Sequence, residues 1–149
     1  MMSLSRQMII LIFCSIMTIT LFNCGKPKEG RVEITDQEFS IRQDSKYKRN
    51  WVIDAKGKVK NVGEVDVKNV VVTGYCISCG EAIISGQWFI SNIEKMPNQK
   101  DTIAYLPVGA EEEFSFEEVA LMMEQNEKVP DKMPDKMECK ILSFETVQK

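Results

Sequence analysis

Between Trp51 and Asn61 the chain changes polarity at almost every step. Trp51, Ile53, Ala55 and Val59 fall on one face and Asp54, Lys56, Lys58 and Lys60 on the other. Successive side chains of a strand point to opposite faces, whereas a helix returns to one face every three or four residues. The period-two pattern therefore predicts a half-buried β-strand. Asn61-Val62-Gly63-Glu64 reads as a turn, and residues 65–76 are a second, β-branched run. Ser78-Cys79-Gly80-Glu81 turns the chain again into a run over 82–91. A fourth run over 101–106 ends at Pro107-Val108-Gly109-Ala110, Phe114 and Phe116 alternate in a fifth, and residues 139–147 make a last one. With a weaker strand within 31–42, the count is about seven. Short strands separated by turns at this spacing predict an all-β fold, a single antiparallel immunoglobulin-like sandwich of about seven strands.

One stretch departs from this pattern. Residues 117–125 carry helix formers at helical spacing (Val119, Ala120, Leu121, Met122, Met123), which predicts a short helical turn over 118–123. The tandem Pro130-Asp131-Lys132-Met133 and Pro134-Asp135-Lys136-Met137 follows. A four-residue unit is too short for a structural repeat, and proline is excluded from central strands. Residues 126–136 are therefore expected to form an exposed loop.

The run Gly57-Lys58-Val59-Lys60-Asn61-Val62-Gly63, then Val67-Lys68-Asn69-Val70-Val71-Val72, then Leu106-Pro107-Val108-Gly109 ahead of Phe114-Ser115-Phe116, resembles the FxLYD domain. That family is a small β-sandwich of bacterial and archaeal envelope proteins, often lipoproteins, and the resemblance spans about residues 51–119. The turn here has one residue between proline and glycine, and Gly74-Tyr75-Cys76-Ile77-Ser78 stands near the place of the namesake segment. The resemblance implies a fold and a setting; it brings no catalytic site.

The N-terminus points to the same setting. Arg6 precedes an uncharged apolar run over 8–22, the layout of a secretory signal peptide. Leu21-Phe22-Asn23-Cys24 then resembles the lipobox of bacterial lipoproteins, in the looser form found in spirochaetes. The resemblance implies lipidation of the Cys24 thiol, with fatty acyl chains such as palmitate, and removal of residues 1–23. It implies a cell-envelope location, assigned to the outer membrane. The run is shorter than the roughly 20 apolar residues that a membrane-spanning helix needs. Cleavage leaves 126 residues (24–149), divided into a lipidated tether over 24–31 and one sandwich domain over 32–149.

Cys76-Ile77-Ser78-Cys79-Gly80 and the distant Cys139 are the chemically suggestive residues of the domain. A structural disulfide is the first reading, because exported proteins meet oxidising conditions. Cys139 bridged to Cys76 or Cys79 would close a loop of about 60 residues and contribute a few kcal/mol. A zinc site is the second, with Cys76, Cys79 and Cys139 as thiolates, although structural zinc takes four ligands and the chain has no histidine. Thiol–disulfide exchange is the third, without the helix N-terminus that usually activates such a thiol. An odd thiol remains in any monomeric scheme, and burial is the default for it.

The lack of histidine also removes the commonest general base and metal ligand. No phosphate-binding glycine loop or nucleophile elbow occurs. The net charge of −3 argues against a nucleic-acid partner, which would call for a basic face. Trp88 and Phe89 are adjacent, so in a strand one faces the core and the other faces out. With Met133 they form the expected binding surface. The reading is a non-catalytic binding or assembly module, without a cofactor apart from the lipid, held on a membrane and engaging another envelope or extracellular protein. The alternative is a metal- or redox-responsive envelope protein using the three cysteines.

Overall fold

A computed structural model describes residues 27–90, 94–124 and 128–147. Cys24 and the apolar run before it lie outside the described residues. The described residues form an antiparallel β-sandwich of seven strands: β1 (Val32–Gln43), β2 (Asn50–Asn61), β3 (Val67–Cys76), β4 (Trp88–Phe89), β5 (Lys100–Leu106), β6 (Glu111–Met123) and β7 (Met137–Thr146). One sheet has the order β1-β2-β6-β4 and the other β5-β3-β7.

The alternation of β2 resolves as expected. Ile53, Ala55 and Val59 enter the core beside Val70, Val72 and Leu106 of the facing sheet, and Phe114 stacks on Phe116 with ring centroids 5.7 Å apart. Two departures from the expected elements have clear causes. The run over 82–91 pairs only through Trp88–Phe89, and residues 81–87 are exposed. Residues 117–123 are not helical: they continue β6 through a bulge. Ile53 pairs with Ala120 and Ala55 with Phe116, so three residues of β6 face one of β2. Glu118 sits in that bulge at φ 60°. Its N–H donates to Asp54 Oδ1 (3.1 Å), and its carbonyl accepts from Gln99 Nε2 (3.0 Å). The bulge turns both Phe116 and Val119 into the core.

Asn69, at φ 52°, plays the same part in β3, where Val67 and Val70 are both fully buried on either side of it. The open sheet edges are met by side chains from the opposite sheet. Gln37 Oε1 accepts from the Cys139 N–H (2.8 Å), and Asp101 Oδ2 accepts from the Ser115 N–H (2.9 Å). Such covering removes donors that would otherwise recruit another strand.

Candidate binding groove

β3 ends at Cys76, and the turn Ile77-Ser78 brings Cys79 back to form a disulfide with Cys76, Cα to Cα 5.4 Å. This corrects the expected pairing through Cys139, which is a free, buried thiol. The reason is register. Cys139 pairs with Gly74 and Cys76 with Met137, which makes the two cysteines diagonal neighbours on one face. Diagonal positions lie about 7–8 Å apart, beyond the span of a disulfide. Burial pushes the Cys139 thiol up to about 12. With Cys76 and Cys79 joined, the zinc reading keeps one thiolate. Among the described residues, no group of three or more Cys, Asp or Glu side chains is arranged to hold a metal ion.

The cysteine turn belongs to one sheet and touches the other. Gly80 N–H donates to the Trp88 carbonyl and Gly80 O accepts from the Ile90 N–H, both at 3.1 Å, so the turn pairs with β4. On its other side, the N–H groups of Ile77 (2.9 Å) and Ser78 (3.3 Å) donate to the Lys136 carbonyl. The Lys136 N–H donates back to Ser78 Oγ at 3.0 Å. The loop over 128–136 is thus tied to the turn at one end. In its middle, the Trp88 indole Nε1 donates to the Lys132 carbonyl at 2.9 Å.

These three pieces (turn, β4 and loop) enclose an open groove of about 630 Å³. Its apolar lining comes from Trp88, Met122, Met133, Pro130 and Pro134. Trp88 is half-buried and Met133 is 41% exposed, so both present surface to the groove. Phe89 points to the opposite face of the sheet and is buried at 3% exposure. Of the aromatic pair, therefore, Trp88 lines the groove and packs partly against the sandwich core, while Phe89 is buried on the other face of its sheet. The polar lining includes Glu124, Asp131, Asp135 and Lys132. Lys128 pairs with Asp131 at 2.9 Å. Gly86, at φ 77°, leaves room for Glu124 Oε1, which lies 3.5 Å from where a Cβ would stand.

Sequence reasoning marked Trp88, Met133 and the proline loop separately. It missed Glu124 and the cysteine turn as their neighbours, because nothing in the local pattern says that the loop folds over this end of the sandwich. The chain matches no family model, no curated protein and no solved structure.

Proposed function

We propose that this chain is a lipid-anchored cell-envelope protein that works by holding another protein in the groove, without catalysis. The observation that carries the reading is the position of the groove relative to the entry of the chain. The Glu29 carbonyl accepts from the Glu64 N–H (2.9 Å) and the Arg31 carbonyl from the Val62 N–H (2.8 Å). The chain therefore enters at the β2–β3 turn. The groove lies at the other end of β2 and β6, where Trp51 pairs with Met122 and Met122 with Trp88. The length of β2 separates the two ends by roughly 36 Å at the usual rise per residue.

From Cys24 to Pro27 the chain reaches about 10 Å at most. A lipid on Cys24 keeps the entry end against its membrane and turns the groove away from it. A groove held out in this way serves a partner that arrives from the aqueous side. Its lining favours an extended segment with an apolar side chain next to Lys or Arg. Trp88 and the methionines take the first, and Glu124 and Asp135 take the second.

The test is a photo-reactive phenylalanine analogue placed at Met133 in living cells, with the same group at Glu38 on the outer face of β1 as control. The expected result is a discrete protein adduct from position 133 and none from 38. Identical products from both positions, or none from 133, would sink the binding reading. The anchor is tested separately by intact mass. A mature chain of residues 24–149 plus diacylglyceryl is expected, and an uncleaved, unlipidated chain would refute it.

A further inference from the structure

We propose that the Cys76–Cys79 bridge is a redox clasp on the groove: the groove is formed while the bridge is closed and lost when a dithiol reductant opens it. The proposal rests on the groove being the working face of the protein and names how that face is controlled. The residues enclosed by the bridge are those that hold the loop. Ile77 and Ser78 make the N–H contacts to the Lys136 carbonyl, and Ser78 Oγ accepts from the Lys136 N–H. The residue immediately after the bridge, Gly80, pairs with β4 on both sides of Phe89. The loop is then carried across the sandwich by Trp88, whose indole holds Lys132. One covalent bond fixes the turn that contacts both walls of the groove.

Among the described residues, the hydrogen bonds from 128–136 to the rest of the fold run to Ile77, Ser78 and Trp88. The Lys128–Asp131 ion pair lies within the loop itself and between exposed side chains, so it does not anchor the loop to the sandwich. A turn freed from the bridge regains the backbone freedom that the disulfide removes. The strands beneath keep their pairing, because β3 pairs with β5 as far as Thr73 and with β7 on to Cys76.

The chemistry has one accessible entry. Cys76 is 2% exposed, whereas Cys79 is half-buried at the surface. A thiolate of the reductant attacks Cys79 Sγ, the Cys76–Cys79 bond breaks, and Cys76 leaves and takes up a proton. The reductant's second thiolate then attacks the mixed disulfide and releases Cys79, which is protonated in turn. The two cysteines gain two electrons and two protons, and the reductant departs as its own disulfide. Cys76 leaves into the core, where burial disfavours a thiolate. A poor leaving group slows the first step, so a monothiol, whose mixed disulfide reverses, opens the clasp far less readily than a dithiol.

The test is hydrogen exchange followed by mass spectrometry on the intact protein in detergent, before and after dithiothreitol. Amide exchange in 77–78 and 128–136 is expected to rise by about tenfold or more, while β2 and β6 stay protected. The double variant Cys76→Ala/Cys79→Ala is expected to show the reduced pattern without reductant, and Cys139→Ala the wild-type one. Unchanged exchange over 128–136 after reduction overturns the clasp. An equal rise throughout the sandwich overturns it too, because the bridge would then support the whole fold. The readout uses no partner, so its failure leaves the binding reading standing. A silent Met133 cross-link beside a working clasp would sink the binding reading alone.

Discussion

Asn61 Nδ2 donates to the Leu106 carbonyl at 3.0 Å, joining two turns that are 45 residues apart in the chain. The same amide nitrogen donates to the Val65 carbonyl (2.9 Å), and Asn61 Oδ1 accepts from the Gly63 N–H (3.0 Å). Its backbone takes part as well: the N–H donates to the Ala110 carbonyl, and the carbonyl accepts from the Gly109 N–H. Asn61 is fully buried, and the Leu106 carbonyl it meets is buried as well. Asn61→Ala leaves two carbonyls and an N–H unpaired, and is expected to lower stability by about 3 kcal/mol. The readout is the urea midpoint at unchanged slope. A change below about 1 kcal/mol would mean that the turns hold themselves.

Gly57 explains why a strand otherwise made of side chains with strong roles contains a glycine. An alanine Cβ there would lie 2.1 Å from the Asp36 carbonyl oxygen and 2.6 Å from Phe114 Cζ. The β1 register shift between Ile34 and Asp36 accompanies this close approach. Backbone cannot yield as a flexible side chain can, so Gly57→Ala is expected to cost about 3 kcal/mol. Gly109→Ala meets open space but strains a backbone at φ 76°, for about 1 kcal/mol. If Gly109→Ala proved the more damaging of the two by thermal unfolding, the tight β1–β2 contact would be wrong.

The bulge of β6 gives a pair of variants with opposite signs. Glu118 holds a left-handed backbone that costs a non-glycine residue about 1 kcal/mol, so Glu118→Gly is expected to stabilise by that amount. Asp54 supports the bulge through the Glu118 N–H and also accepts a hydrogen bond from Arg42 Nε. Its side chain is 23% exposed, which limits the penalty, and Asp54→Ala is expected to lose about 2 kcal/mol. Denaturation of the two variants side by side checks both signs. A destabilising Glu118→Gly would show that the Glu118 side chain contributes more than its backbone costs.

The same bulge shows where sequence reading stops. In β2 the extra residues of the bulge lie on the partner strand, so polarity still alternates from Ile53 to Lys60 and the strand is legible. In β6 the extra residues place Phe116, Val119 and Ala120 in the core, at spacings of three and four, which is the signature of a helix. The pattern is real, but its cause is a kinked strand. Asn69 disturbs β3 less visibly, because Val70, Val71 and Val72 follow it and an unbroken apolar run does not show which face each side chain takes. For the site, Trp88 and the proline loop carried local signals. Their meeting depends on contacts between the cysteine turn and Lys136, 58 residues away, which no local pattern encodes. The cysteine pairing failed for the same reason: it follows from the β3–β7 register, which places Cys139 opposite Gly74.

Cys139 provides a test by pH. Its thiol is raised from 9.0 to about 12 by burial, so the folded protein keeps the proton where the unfolded chain gives it up. Unfolding then releases a proton, and stability present below pH 9 falls as pH rises toward 12. Between pH 9 and pH 10 the loss from this one group is about 1 kcal/mol. Other groups titrate in the same range, so the quantity to measure is the difference between the wild type and Cys139→Ala. The variant lacks the thiol and is expected to lose less stability over that interval. Parallel pH profiles would mean that water reaches the thiol through the gap beside Gln37 and Glu138, where Cys139 lines a shallow cavity. The same native protein is expected to resist iodoacetamide at mildly alkaline pH and to take up a single carbamidomethyl group on Cys139 once urea unfolds it. Rapid native alkylation would point to that same opening and would place the thiol in contact with solvent.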